Sequence, residues 1–210
     1  MLFTTWNIDA LQILSRQELA AVLKDLKRRA ARLPNVQMNL AILRLACCCG
    51  LRASEIGGLT PGDLRVGIAR PHLLVRAEHA KLHRPRRVPL WWDAGTLADL
   101  SAWLDVRFEQ GARRDDPFVC SLQAATFGQP LNRHVLLRRF HPACRILGWD
   151  RLRTLTIHHG RHTFIRHALA GGRTLAESRA AAGHASLLTT SVYLHVVVAA
   201  PTPTGLAKRP

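Results

Sequence analysis

Most of this chain repeats its apolar residues at helical spacing, but one short block does not. Val66 to Ala69, His72 to Ala77 and Arg86 to Leu90 alternate at period two with β-branched and apolar residues, and Pro71 stands near an end. Strands this close in sequence pair antiparallel through short connections. The expected fold is therefore α+β, mainly α, with a small antiparallel three-stranded sheet beside a cleft.

The helices announce themselves by their ends. Ser15 and Glu18 form a capping box ahead of Leu19, Val22, Leu23 and Leu26, which recur at helical spacing. Pro34 separates this helix from an apolar one over Val36 to Cys49, which Gly50 can stop as a left-handed cap. Arg52 then begins a new helix within Gly-Leu-Arg-Ala-Ser-Glu-Ile, where Glu55 reads as an orienting or structural carboxylate. Asp93 caps a helix over Ala94 to Gln110, with Leu97, Leu100, Leu104 and Phe108 inward and Trp91, Trp92 and Trp103 core or groove-lining. Leu131 to Leu147 carries Arg133, His134, Arg138, Arg139 and Arg145, a density that suits tracking a phosphate backbone, and Gly148 ends it. Arg161 to Ala170 is helical, and Thr174 with Glu177 caps a helix over Leu175 to Ala182, broken at Gly183. Residues 1–14 read as an N-terminal arm, 15–198 as one domain, and 199–210 as a tail in which prolines prevent a helix.

The 30 Lys+Arg against 14 Asp+Glu give a formal charge of +16, which calls for a polyanionic partner. A 48% hydrophobic content is ample for a core, yet no apolar run approaches the roughly 20 residues of a membrane span. Cys47, Cys48, Cys49, Cys120 and Cys144 have no metal-binding spacing and read as small core residues in a reducing compartment. The expected setting is the cytoplasm.

Chemistry concentrates between Thr156 and His195. His158 and Arg161 lie one helical turn apart, and Tyr193, the only tyrosine, follows His184 by nine positions. Displacement at a phosphodiester spreads negative charge over the non-bridging oxygens, and an arginine fork grips two such oxygens while never losing its charge. A tyrosine hydroxyl can be the nucleophile, and a covalent phosphotyrosine stores the energy of the broken bond.

These residues resemble the tyrosine recombinases, the phage-integrase family, from about Leu14 to Val196. Gly50 to Ile56 is similar to the family's first arginine box, and Lys81 to Leu90 to its lysine hairpin followed by a Val-Pro-Leu strand. His158 to Thr163 resembles the second box, and Gly183-His184 through Tyr193-Leu194-His195 the third. The resemblance implies that Tyr193 attacks the scissile phosphate, leaving a 3′-phosphotyrosyl bond and a free 5′-hydroxyl. It makes Arg52 and Arg161 the clamp on the phosphate, Lys81 the general acid, His158 an acceptor of the tyrosine proton and His184 a hydrogen-bond partner of the phosphate. It implies no cofactor and no metal.

The expected partner is double-stranded DNA, with Arg84, Arg86, Arg87, Arg138 and Arg139 as further DNA contacts. The resemblance implies a homotetramer on synapsed DNA, a monomer in isolation, exchange of C-terminal segments through Leu194 to Ala200, and work at the nucleoid of a prokaryote. His159 projects about 100° away from His158 and reads as structural or DNA-facing. Gly160, where the family usually has leucine, and Ala181-Ala182, where it often has a leucine pair, are expected to loosen packing. The chain is either a catalytic domain alone or a fragment of a longer protein. A type IB topoisomerase and a DNA-binding regulator that does not cut are the competing readings.

Overall fold

The computed structural model describes residues 13–80 and 84–183. Its order is α1 (Arg16–Ala30), α2 (Pro34–Cys47), α3 (Ala53–Gly57), β1 (Leu64–Arg65), β2 (His72–Val75), β3 (Arg86–Pro89), α4 (Ala94–Glu109), α5 (Arg133–Ala143), α6 (Trp149–Leu152), α7 (Ile157–Ala170) and α8 (Leu175–Ala182). The three strands form one antiparallel sheet in the order β1-β2-β3, and β2 pairs β3 with Leu73 opposite Val88 and Val75 opposite Arg86. Among the described residues no helix is long and apolar enough to cross a membrane.

Helix α2 is the axis, because its apolar residues leave it no polar face. Met38 and the run Leu40 to Cys47 are buried, and α1, α4, α5 and α7 pack around it. The one charge it carries inward is Arg44. Its guanidinium lies 2.9 Å from Asp93 Oδ2 and 2.7 Å from Asp99 Oδ2, so the buried charge is matched.

The capping boxes at Ser15 and Thr174 form as read, with the backbone N–H of Glu18 donating to Ser15 Oγ at 3.1 Å. Gly183 takes the left-handed conformation that ends α8. Several boundaries differ from expectation, and α7 begins at Ile157 instead of Arg161. The first strand sits at Leu64–Arg65 instead of Val66 to Ala69, because Asp63 accepts from the Thr60 N–H at 3.0 Å, closes a tight turn over Pro61–Asp63 and starts the strand at once. Helix α5 stops at Ala143, one residue after Pro142, which has no N–H to give the Arg138 carbonyl and so weakens the last turn, and a short 3₁₀ turn follows. Ile13 and Leu14, at the end of the expected arm, are buried, and the Leu14 N–H donates to Thr163 Oγ1 at 3.0 Å. Phe108, placed inward by its spacing, is 46% exposed, whereas Trp103 is fully buried and donates from Nε1 to Phe118 O at 2.9 Å.

At Gly160 the structure reverses an expectation. The missing side chain does not loosen the packing; it lets α7 close onto α2. A Cβ there would stand 3.0 Å from Ala46 Cβ and 3.0 Å from Cys47 Sγ, inside the roughly 3.5–4.0 Å of relaxed carbon contacts. Ala181 and Ala182 are likewise buried, in a second apolar cluster with Phe164 and Ile165. All five cysteines are free thiols, and burial pushes Cys144 up to about 12, which keeps it unreactive.

Candidate active site

The two arginines expected to hold a phosphate stand where α2 turns into α3 and in the first half of α7. Gly50 holds φ +67°, a left-handed backbone that lets the chain reverse after α2. Its carbonyl accepts from Arg161 Nη1 at 2.9 Å, so the second arginine of the site is pinned two residues before the first. Phe164, three residues after Arg161 on α7, lays its ring where a side chain at Gly50 would stand. Arg52 is the residue that caps α3. Its backbone N–H donates to Glu55 Oε2 at 2.8 Å and its Nη1 to Glu55 Oε1 at 3.0 Å.

Glu55 is fully buried and orients Arg52, as its position in the sequence implied. Burial pushes its carboxyl up, but the hydrogen bonds and charge of Arg86, with Arg52 beside them, outweigh that and hold it below the ordinary carboxylate range. It is an anion that fixes cations.

His158 lies beside Arg133 and within the field of Arg52. Arg133 Nη2 is 3.2 Å from its Nε2, and because a guanidinium can only donate, Nε2 accepts and the neutral ring carries its hydrogen on Nδ1. Burial, then the charges of Arg133 and Arg52, push this imidazole below its ordinary value, so at neutral pH it is uncharged and able to take a proton. His159 plays a different part, since its Nδ1 accepts from the Thr156 N–H at 3.0 Å and closes the start of α7. His162 is pushed down to about 4 by burial, with His159 and Arg161 adding to the effect. The guanidiniums of Arg52 and Arg161 are thus each held by a fixed acceptor, and guanidiniums held in this way can receive an anion with several oxygens.

Lys81, His184 and Tyr193 lie outside the described residues. Of the expected DNA contacts, Arg84, Arg87 and Arg138 are exposed. Arg86 is not a surface residue: its guanidinium turns inward to Glu55, with Nη1 to Oε1 and Nη2 to Oε2 both at 2.8 Å. Arg139 bends back to α2, donating to Asn39 Oδ1 at 3.0 Å and to Asn35 Oδ1 at 3.4 Å. Sequence reasoning also left Arg133 as one of several basic residues on its helix, and no local signal marks it as the partner of His158. For Arg86 a signal existed, since it shares the period-two phase of Val88 and Leu90, both buried.

The fold is that of a tyrosine-recombinase catalytic domain. It superposes on the crystal structure of XerA recombinase with a TM-score of 0.69 at 21% identity, covering 87% of this chain and 58% of that one. It superposes on XerH site-specific recombinase bound to palindromic difH substrate with a TM-score of 0.70 at 22% identity, covering 88% and 49%. This chain belongs to the phage integrase family, whose profile matches residues 12–199. Tyrosine recombinase XerC of Corynebacterium glutamicum is 32% identical over 156 residues, 74% of this chain and 46% of that protein. Tyrosine recombinase XerD of Proteus mirabilis is 32% identical over 164 residues, 74% and 47% respectively. The chain thus spans about half the length of the curated relatives it matches.

Proposed function

We propose that this chain is the catalytic domain of a site-specific DNA recombinase, with Tyr193 cutting double-stranded DNA and the strands rejoining through a 3′-phosphotyrosyl intermediate. Four chains act on two synapsed sites, at the nucleoid of a prokaryotic cell. The observation that carries the reading is the joint placement of Arg52, His158 and Arg161, with Arg161 held by the Gly50 carbonyl and His158 within the field of Arg52. The two arginines grip the non-bridging oxygens, and a neutral His158 accepts the phenolic proton. Lys81 protonates the leaving 5′ oxygen and His184 hydrogen-bonds the phosphate. Arg84, Arg87 and Arg138 are free to meet the DNA backbone. The names of the relatives, XerC and XerD tyrosine recombinases, support the reading.

The test uses a pool of nicked duplexes of random sequence, resolved on a denaturing gel after incubation. Wild type yields a slow-migrating protein–DNA band and Tyr193→Phe yields none. Tight DNA binding by wild type with no such band across the pool refutes the enzymatic reading and leaves a DNA-binding protein.

A further inference from the structure

Arg86 lies beside Arg52 through their shared partner Glu55, and the roles given above do not use it. Each of its three side-chain nitrogens has an acceptor at 2.8 Å: Nη1 on Glu55 Oε1, Nη2 on Glu55 Oε2, and Nε on the carbonyl of Ala181. Those partners come from α3 and from the last turn of α8, while Arg86 itself belongs to β3. The side chain is 9% exposed, so it is not offered to DNA. The chain also fits around it closely. Gly183 ends α8 with φ +67°, and a Cβ there would stand 2.9 Å from Arg86 Cδ, Nε and Cζ. The end of that helix therefore rests on the guanidinium.

We infer that Arg86 is a positioning residue of the active site, a three-way tie that fixes Glu55 beside Arg52 and sets the end of α8 from which His184 follows. The inference rests on the recombinase reading above. Its logic is partly one of charge. Glu55 Oε1 accepts from both Arg52 Nη1 and Arg86 Nη1, and Oε2 accepts from the Arg52 N–H and Arg86 Nη2. One carboxylate between two guanidiniums leaves a net positive charge, so Arg52 is oriented without being neutralised and retains its attraction for a phosphate. Sequence adds a third link, since Arg86 stands five residues after Lys81. Only a guanidinium can supply the fork to Glu55 and the separate Nε–H to Ala181 together. A lysine ammonium keeps the charge and loses that geometry.

Arg86→Lys is the test, read in two ways. By hydrogen exchange, backbone amides of residues 53–57 and 178–183 exchange about tenfold faster or more, the size expected for one lost charge-assisted hydrogen bond, while those of α4 do not change. With the random nicked-duplex pool at saturation, the rate of covalent adduct formation falls about tenfold or more, while the DNA concentration for half-maximal rate moves less than about threefold. Unchanged exchange at both segments, or a wild-type adduct rate, overturns the inference. If Arg86→Lys does not fold, the double variant Glu55→Leu/Arg86→Met fills the same space without charge, and a wild-type adduct rate in that folded protein overturns it equally. Should wild type form no adduct, the recombinase reading fails by itself, and the exchange measurement still decides whether Arg86 ties the segments.

Discussion

Replacing Gly50 by alanine tests how the two arginine segments are joined. At φ +67° the backbone there costs an L-residue about 1–2 kcal/mol. The added Cβ would also stand in the Phe164 ring, 3.0 Å from Cγ and 3.1 Å from Cε1. Phe164 is buried in the second apolar cluster and cannot swing into solvent, and overpacking of this kind costs about 1–3 kcal/mol. The two effects together come to about 2–5 kcal/mol, a large share of the roughly 5–15 kcal/mol that holds a domain folded. For a chain of this size each kcal/mol lowers the melting temperature by about 2–4 °C, so a fall of about 4–20 °C is expected in thermal unfolding followed by circular dichroism. A double-mutant cycle with Phe164→Leu separates the parts, because the steric share appears as coupling between the positions and the backbone share does not. A melt within about 2 °C of wild type, or no coupling to Phe164, would refute the reasoning.

Acid should weaken the fold before the carboxylates titrate. His158, His159, His162 and His167 are all pushed down by burial, His162 to about 4, so between about pH 6.5 and 4 the unfolded chain binds protons that the folded chain does not. The stabilisation is complete above the unfolded value and is lost as pH falls through the folded ones, with His162 alone worth about 3 kcal/mol over the full range. Urea midpoints at about pH 7.5 and 5 measure the drop, His162→Gln should reduce it, and equal midpoints would count against the buried neutral state. In DNA binding, Arg84→Ala and Arg87→Ala should each lower the slope of log affinity against log salt by about one. Arg139→Ala should leave that slope unchanged, because its guanidinium is held by Asn39 and Asn35. A loss of slope for Arg139→Ala in fluorescence anisotropy titrations would place it on the DNA after all.

What could be read from sequence was whatever is decided locally. Ser15 and Thr174 cap their helices through partners three residues away, and Gly50 and Gly183 stop theirs by conformations that other residues enter at a cost. Position along the chain was enough for these. The first strand was misplaced because its start depends on Asp63 closing a turn and on pairing with β2, and residue preference carries neither. The site divided along the same line. Arg52 and Arg161 stood out by motif, and Glu55 was read as an orienting or structural carboxylate, which its bonds to Arg52 bear out. The roles of Arg86 and Arg133 depend on partners far away in sequence: Glu55 and Ala181, 31 and 95 residues from Arg86, and His158, 25 residues from Arg133. Arginine is the commonest charged side chain here, so composition hid them among their neighbours.

The contact at Gly160 limits how this chain can diverge. Its neighbours on α2 are Ala46 and Cys47, already small, and the Ala46 backbone carbon would also stand 3.1 Å from a Cβ, so a side chain at position 160 makes the two helices give way by a few tenths of an ångström. Trimming either first leaves a gap between the two helices, and enlarging position 160 first forces them apart, so stepwise substitution meets a barrier in both orders. A larger residue at position 160 is therefore accommodated best together with a change in α2, so the spacing of the helix that leads to Arg52 and the helix that carries Arg161 varies as one quantity.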